Sequence, residues 1–365
     1  MYCSVRRNLM KKILGLLFVI LFVPAVNAAT SELPYIYRGV RPMGMGGAFV
    51  ALSDDANALF YNPAGLANIK TKRSSLFELE FEGSKKAFDY QMDAFDVDTD
   101  DPSDVSSFLY KYMGDYSHMA ASFFPNYTRP NFAFGLISTV KSNMQVINPA
   151  YPSLALNSTG DAGLCAGYAH SWLDDSLLAG ANLKSIYRKS LKETYSVSDI
   201  TTHDFKSRLR DDVQDGGGIL LDLGVIYKVM GSDQEEVAQE PLQLGMSISN
   251  LIGNKLGDAE DLDMHIDIGV SKRLGDFTLA ADYVDLLGWM GDDNDVGKRI
   301  HLGLEYDVTK VVKLRAGINQ GYLTYGIGAA TKNLQFDLLS YAEEVGEYSG
   351  QDKDRRYLLR MGFGF

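Results

Sequence analysis

Residues 300–307 read Ile-His-Leu-Gly-Leu-Glu-Tyr-Asp, with a large apolar side chain at every second position. The segment 312–319, Val-Lys-Leu-Arg-Ala-Gly-Ile-Asn, repeats this alternation. Successive side chains of a β-strand point to opposite faces, so a two-residue period predicts strands with one apolar face. The other face carries glycine and isolated charges rather than a fully solvated, charged surface. This pattern favours a membrane barrel, with lipid outside and a crowded lumen inside, over a soluble β-sandwich.

The same alternation recurs from residue 74 to residue 365 and predicts 14 strands. Their predicted bounds are 74–81, 117–124, 131–140, 161–172, 176–187, 216–228, 240–250, 264–273, 276–285, 299–307, 311–319, 321–330, 334–342 and 355–365. The connections are alternately long and short, except at Gln320, where a very short link stands in place of a long one. Outer-membrane barrels alternate short periplasmic turns with longer external loops. We therefore predict an all-β fold, a transmembrane antiparallel β-barrel over residues 74–365 with both ends in the periplasm.

The amino end predicts export. A basic segment precedes an apolar run at 13–26, and Val26-Asn27-Ala28 offers small residues for cleavage. This is the arrangement of a secretory signal peptide, predicted here as residues 1–28, rather than of a retained anchor. The net charge of -12 and the two cysteines exclude a basic nucleic-acid-binding protein and a disulfide scaffold. Export and alternating strands together predict the bacterial outer membrane as the location, with membrane lipid around the barrel.

The last predicted strand ends in an aromatic residue. Tyr357, Phe363 and the terminal Phe365 lie on its apolar face together with Leu359 and Met361. An apolar residue at every second position up to a terminal phenylalanine resembles the signal by which the barrel assembly machinery recognises its substrates. The alternative is a buried edge strand that happens to end in phenylalanine.

Residues 29–73 do not alternate. Gly44, Gly46 and Gly47 superficially resemble a dinucleotide-binding loop, but no βαβ unit follows, so tight backbone packing inside a barrel explains them better. Ser53 or Asp54 is expected to cap a short helix that ends before Asn62-Pro63.

Several short motifs resemble the FadL-like family of outer-membrane barrels, especially its PorV-type and related branches. They are Gly-Met-Gly-Gly-Ala-Phe at 44–49, Asp-Asp-Ala-Asn-Ala at 54–58, Tyr-Asn-Pro-Ala-Gly-Leu at 61–66, and the segments 245–251 and 317–321. The closing strand is similar too. The resemblance implies a 14-strand barrel with residues 29–73 as a hatch inside the lumen. Asn62, Pro63 and Ala64 match the hatch element.

The resemblance leaves two functions open. In the transporter branch, small hydrophobic molecules such as long-chain fatty acids bind inside the barrel. They leave through a kink in the wall or past a shifted hatch, without a cofactor. In the PorV-type branch, the barrel is instead a docking partner for secretion-system proteins. Fold alone does not separate these functions.

Ionisable residues on the predicted lumen face are the candidate site. Asp282, Glu305, Lys313, Arg315 and Arg360 are its main members, and Asp222, Asp267 and Asp337 lie on the same face. Charges at membrane depth must be paired or hydrated. They therefore form either a structural ion-pair network or a polar end of a ligand path, where arginine would bind a carboxylate through its two-pronged guanidinium group.

Motifs for catalysis and metal binding are absent from the sequence. The five histidines are scattered, and the sequence contains neither a nucleophile elbow nor a phosphate-binding loop. We therefore predict neither an enzyme nor a cofactor nor a metal centre. The acidic stretches 96–104 and 291–295 are expected to be solvated loops. A calcium site at Asp96, Asp98 and Asp100 is the alternative, although Asp101 stands where a calcium loop needs glycine.

Overall fold

The structure is a computed structural model that describes residues 32–229, 240–290 and 295–365. The predicted signal peptide, residues 1–28, lies outside these ranges. The described residues form one 15-stranded antiparallel sheet. The strands are β1 (Arg73–Ser84), β2 (Tyr116–Phe123), β3 (Asn126–Arg129), β4 (Phe132–Ile147), β5 (Ser153–Trp172), β6 (Leu177–Ser196), β7 (Gln214–Val229), β8 (Leu242–Ile252), β9 (His265–Leu274), β10 (Phe277–Tyr283), β11 (Ile300–Asp307), β12 (Val312–Asn319), β13 (Tyr322–Ala330), β14 (Leu334–Glu344) and β15 (Lys353–Gly364).

Helices occupy the segment before β1 and the external connections. They are α1 (Val40–Gly44), α2 (Lys85–Ala94), α3 (Pro102–Lys111), α4 (Val197–Ile200) and α5 (Phe205–Asp211), with 3-10 helices at Ala56–Leu59, Pro63–Asn68 and Val296–Arg299. Among the described residues, no helix is long and apolar enough to cross a membrane.

The sheet closes on itself because its first and last strands pair. Ser74 and Phe365 exchange backbone N–H···O=C hydrogen bonds of 2.7 and 2.8 Å, and β1 stays paired with β15 up to Ser84 beside Arg356. Strands β2 and β3 both lie between β1 and β4, so they share one of 14 positions in the ring. The predicted antiparallel barrel of about 14 strands is confirmed.

The predicted turn at 125–130 is wrong in its extent, because the second wall position continues through it. Pro125 has no N–H to donate, so β2 ends at Phe123 and the ladder resumes as β3. The break keeps two backbone hydrogen bonds of 3.0 Å, from Phe124 N–H to the Glu78 carbonyl and from Leu136 N–H to the Pro125 carbonyl. The wall is thus irregular here but still closed.

Strands β4, β5 and β6 are 16, 20 and 20 residues long and replace most of the external loop predicted at 141–160 and part of that predicted at 188–215. A tilted strand needs only roughly 9–11 residues to cross a bilayer, so these three strands extend beyond it on the external side.

The external connection between β12 and β13 is very short, as predicted: it is the two-residue turn Gln320-Gly321. Both residues have positive φ, as a tight hairpin turn with the right twist requires.

The external helices pack on the outer face of the extended strands. They form an apolar cluster, here called the external cluster, of Tyr90, Val105, Leu109, Tyr112, Met144, Val146, Leu156, Tyr195 and Ile200. On β5, Leu156 is an even number of residues from Leu164, whose side chain is exposed on the outside of the barrel. The external cluster therefore lies beside the wall rather than over the mouth of the lumen.

The outward face of the barrel is apolar, as the alternation predicts. On β10 to β15 its exposed side chains are Phe277, Leu279, Ile300, Leu302, Leu314, Leu323, Tyr325, Ile327, Leu334, Phe336, Leu338, Tyr357, Met361, Phe363 and Phe365. Inward neighbours such as Glu305, Arg315 and Arg360 are buried. A continuous belt of exposed apolar side chains in a closed barrel is a lipid-facing surface.

The segment before β1 packs inside the ring, and we call residues 32–72 the hatch. Its helix caps differ from the prediction. Asp55, rather than Ser53 or Asp54, caps the first 3-10 helix, accepting from the N–H of Asn57. Asn62 and Pro63 do not simply stop a helix, because they start the second one. Asparagine at the cap and proline at the first helical position is a favourable beginning.

Candidate functional site: the hatch and the barrel lumen

The hatch backbone touches the wall where both are glycine. Gly303 on β11 and Gly317 on β12 face each other across the ladder, and Met45 and Gly46 of the hatch lie directly behind them. A Cβ on Gly317 would lie 2.5 Å from the amide nitrogen of Gly46. Gly46 and Gly47 also have positive φ, which favours glycine. The glycines of the sequence motif are therefore close-packing residues, with Gly44 set against the side chain of Arg315.

Asn62 binds the hatch to the opposite wall. Its Nδ2 donates to the carbonyls of Val225 on β7 and Met246 on β8 at 3.2 and 3.3 Å, and to Val50 within the hatch at 2.9 Å. Its Oδ1 caps the N–H of Ala64 at 3.0 Å. Pro63 and Ala64 lie against Gly180 of β6, where a Cβ would clash. One amide thus orients the turn and attaches it to two strands.

The predicted lumen charges form one network with the hatch. Arg41 of α1 donates to both carboxylate oxygens of Glu305, at 3.0 and 2.9 Å, and also pairs with Asp54 and Asp55. Glu305 accepts in addition from Arg315 at 2.8 Å and from Lys313 at 3.1 Å. A buried carboxylate needs such partners to remain ionised.

The network continues along the wall to β1. Arg315 donates to Asp337 at 2.6 Å, and Arg360 donates to Asp337 at 2.7 and 3.0 Å and to Glu78 at 3.2 Å. The cations considered above for a ligand carboxylate are thus all hydrogen-bonded to carboxylates of the protein. This arrangement favours a structural role, because an incoming anion would have to displace those partners.

Asp282, on β10, holds the hatch through its backbone. Its Oδ2 accepts the N–H groups of Phe49 and Val50 at 2.5 and 2.7 Å. Asp222 and Asp267 are separate from this contact. Asp222 pairs with Lys184 at 2.7 Å, and Asp267 accepts the N–H of Asp285 at 2.8 Å.

The other side of the lumen carries a large apolar cluster beside the buried ion pairs Lys184–Asp222 and Arg188–Asp161. A cluster of buried side chains, here called the lumen cluster, consists of Tyr37, Ala58, Leu59, Leu66, Ile69, Phe124, Ala133, Ile137, Cys165, Ala169, Ile186, Leu220, Leu256, Ala259 and Leu262. Ala133 and Ala169 lie near the periplasmic turns, whereas Leu256 and Leu262 belong to the external connection 253–264. The lumen cluster therefore runs along the wall from the external connection to the periplasmic end.

The connection 253–264 folds into the lumen and closes its external side. Arg188, which is buried and paired with Asp161 at 2.7 and 2.9 Å, also donates to the Glu260 carbonyl at 3.3 Å. Ser190 accepts the N–H of Glu260 at 2.8 Å. The sequence does not predict this plug. Its residues do not alternate between apolar and polar, and its partners Arg188 and Ser190 are about 70 residues away in the sequence.

The break in the wall is sealed by an aromatic trio. The Phe124 ring lies 5.3 Å from Tyr37 and 5.2 Å from Phe60, and both partners belong to the hatch. Phe124 is only 1% exposed although it lies at an irregular position of the wall. In the sequence, Pro125 is the residue that could have predicted this break, because proline cannot donate a ladder hydrogen bond.

Two of the cavities around the hatch are small, whereas a third, of about 380 Å³, lies beside Leu52, Asn68 and Lys70 and is lined mostly by polar and charged side chains. One of about 50 Å³ is lined by Tyr37, Arg38, Glu80 and His118, and one of about 20 Å³ by Tyr61, His265, Asp267 and His301. Binding pockets for small molecules usually measure several hundred Å³. A ligand could pass only if the hatch or the connection 253–264 moved.

The described residues contain no group of histidine, cysteine, aspartate and glutamate that could hold a metal ion. Within the acidic stretch 96–104, Asp101 caps α3 and Asp98 accepts the N–H of Asp100. Most of the second stretch, 291–294, lies outside the described residues.

Comparison with known proteins gives structural likeness only. No protein-family model and no curated protein matches the sequence. Among solved structures, the chain is similar to the monoaromatic hydrocarbon channel CymD, with a TM-score of 0.52, 12% identity, and coverage of 91% of this chain and 98% of CymD. The toluene transporter TodX of Pseudomonas putida matches with a TM-score of 0.52 and 11% identity over 94% and 99% of the two chains. A FadL homologue of Pseudomonas aeruginosa matches with a TM-score of 0.51 and 11% identity over 94% and 99%.

The fold is that of the FadL-like outer-membrane barrels. The expectation of a bacterial outer-membrane fold is therefore confirmed. Sequence identity this low establishes only the fold, so the function has to be inferred from the residues that line the lumen of this chain.

Proposed function

We propose that the protein is an outer-membrane channel for small hydrophobic molecules. The observation that carries the proposal is the lumen cluster, which provides an apolar surface from the external connection 253–264 to the periplasmic end. The structurally similar TodX and CymD, a toluene transporter and a monoaromatic hydrocarbon channel, support it. Passage down a concentration gradient needs no nucleotide and no cofactor.

The route begins at the external plug. Movement of 253–264, after Arg188 and Ser190 release Glu260, opens the lumen cluster to the outside. The molecule then displaces Leu59 and Leu66, which the hatch contributes to the cluster. It leaves past the hatch or through the wall at Phe124, where rotation of one ring and its two aromatic neighbours uncovers the break.

The charge pairing favours an uncharged cargo over a fatty-acid anion. Lys313, Arg315 and Arg360 already have carboxylate partners, and so do Lys184 and Arg188, the buried cations on the strands that carry the lumen cluster. A fatty-acid anion such as oleate is the most direct comparison, because it is also largely apolar but carries one charge. The proposal is tested with toluene and oleate side by side.

The experiment ties the hatch to the wall. Asn68, at the end of the second 3-10 helix, donates to Gln243 of β8 at 3.0 Å, and both side chains are partly exposed. The pair Asn68→Cys and Gln243→Cys is joined by a short bis-methanethiosulfonate, which forms a reducible disulfide with each cysteine and releases a sulfinate at each end, with Asn68→Cys alone as the matched control. Uptake of labelled toluene and oleate is measured in cells that lack or produce each variant.

We expect wild-type protein to raise toluene uptake above the level of the deletion strain. The linked variant is expected to return it to that level and reductant to restore it, while the single variant is unaffected. Uptake that the protein never alters would refute the channel proposal and favour the docking role for secretion-system proteins. Oleate uptake equal to that of toluene would refute only the preference for an uncharged cargo and would leave the channel proposal standing.

A further inference from the structure

Helix α2 exposes an apolar stripe on one side. Phe88 and Met92, and Phe95 directly after the helix, are 58%, 69% and 53% exposed. Their spacing of four and three residues places them on one face of a helix. The buried residues Ala87 and Tyr90 lie on a neighbouring face, and Tyr90 joins the external cluster. The stripe is thus left over after the helix has packed.

The stripe is continuous with the lipid-facing belt. The ring of Phe88 lies over the outward side of Gly83 on β1, where a Cβ would be 3.4 Å from the ring. Gly83 pairs with Tyr357, an exposed residue of the outward face of β15. Aromatic side chains at that height of a barrel mark the boundary between lipid and water.

The location of α2 excludes a role at the mouth of the lumen. The helix follows β1 directly and contacts β1, β2 and β15, and the external cluster packs on the outer side of the extended strands. The stripe therefore continues the lipid-facing surface of the barrel toward its external end.

We propose that α2 lies in the outer leaflet of the surrounding bilayer, with Phe88, Met92 and Phe95 inserted among acyl chains. Amphipathic helices with one apolar face bind membrane interfaces in this way. The stripe then anchors the external helices to the membrane surface. The side of α2 away from the stripe carries Lys86 and Asp93, and Lys86 pairs with Asp115. Asp93 is held in place by Lys111 and Tyr112 of the neighbouring α3 segment, so these charges stay in water.

The test measures where the stripe lies in a bilayer. Met92→Cys and Lys86→Cys variants carry an environment-sensitive fluorophore in phosphatidylcholine vesicles. Quenching by a nitroxide on the upper acyl chain is compared with quenching by aqueous iodide. The native Cys165 is fully buried and needs no replacement. Both labelled sites are on the same exposed helix, so misfolding would affect them together.

We expect the label at 92 to be quenched several-fold more by the nitroxide than the label at 86, and several-fold less by iodide. Equal quenching of both labels by iodide would refute the proposal. Protection of the label at 92 from both quenchers would also refute it and assign the stripe to a protein contact. A band shift upon boiling verifies that each variant is a folded barrel.

Discussion

Arg41 of the hatch and Glu305 of β11 are joined by two hydrogen bonds of 3.0 and 2.9 Å across 264 residues of sequence. Glu305 is fully buried, and Arg41 is nearly so. This two-pronged pair fixes both the distance and the orientation of α1 against the wall. It is the direct link between the hatch and the ion network of the lumen.

Loss of this pair should loosen the hatch. Arg41→Gln leaves a buried carboxylate with fewer cations, and breaking such pairs costs about 3–5 kcal/mol. We expect a lower temperature for the loss of the compact band on gels and faster trypsin cleavage within residues 32–72. Lys313→Gln is the control. Lys313 is 30% exposed and also bonds Glu305, so we expect a cost of about 1 kcal/mol or less. Equal effects of the two changes would contradict the role given to Arg41.

A methyl group at Gly317 should displace the hatch from the wall. The new Cβ would lie 2.5 Å from the amide nitrogen of Gly46, and overpacking of this kind costs about 1–3 kcal/mol. We expect Gly317→Ala to raise ion conductance in planar bilayers and sensitivity of cells to large antibiotics. Gly160→Ala is the control, because the nearest atom to its Cβ would be 3.9 Å away. Unchanged conductance in Gly317→Ala would show that the contact does not seal the lumen.

Truncation of Phe124 should open the wall at the Pro125 break. Replacing a buried phenylalanine by alanine costs about 3–5 kcal/mol and leaves a cavity. Here the cavity would lie between the hatch rings and the lipid. We expect Phe124→Ala to raise the initial rate of toluene uptake several-fold per folded molecule. Phe134→Ala, which removes a ring that is 41% exposed on the outward face of β4, should leave the rate unchanged. Equal rates in the two variants would rule out this exit.

The terminal residue should act during assembly. Phe365 is exposed on the lipid side, and its backbone closes the ring against Ser74. If its side chain is part of the assembly signal, Phe365→Ser should lower the folded fraction in the outer membrane several-fold. Phe336→Ser removes a similarly exposed ring from β14 and should have a smaller effect. A folded fraction that is the same in both variants would remove Phe365 from the signal.

Sequence periodicity predicted the wall well because each side chain reports its own environment. The alternation at 300–307 and 312–319 separates lipid-facing Leu302 and Leu314 from inward Glu305 and Arg315, and the structure has the same division. Prediction was weaker where one residue interrupts a ladder, as at Pro125. It was weaker also where strands leave the membrane, as in β5 and β6, because solvent no longer imposes the same alternation.

The sequence by itself determined the closed antiparallel barrel, its lipid face and the charged character of one part of the lumen. These follow from local patterns, since a strand face is either against lipid or away from it. Only the tertiary structure decided that Arg41 pairs with Glu305, that Gly46 rests against Gly317, and that 253–264 plugs the lumen. Each of these contacts joins residues far apart in the chain, and no local period encodes which buried charge or glycine will meet which partner. The physical reason is that the environment of each position, lipid or lumen, determines locally whether its side chain is apolar or polar. Which residues of the hatch and the wall meet is determined only when the ring closes around the hatch.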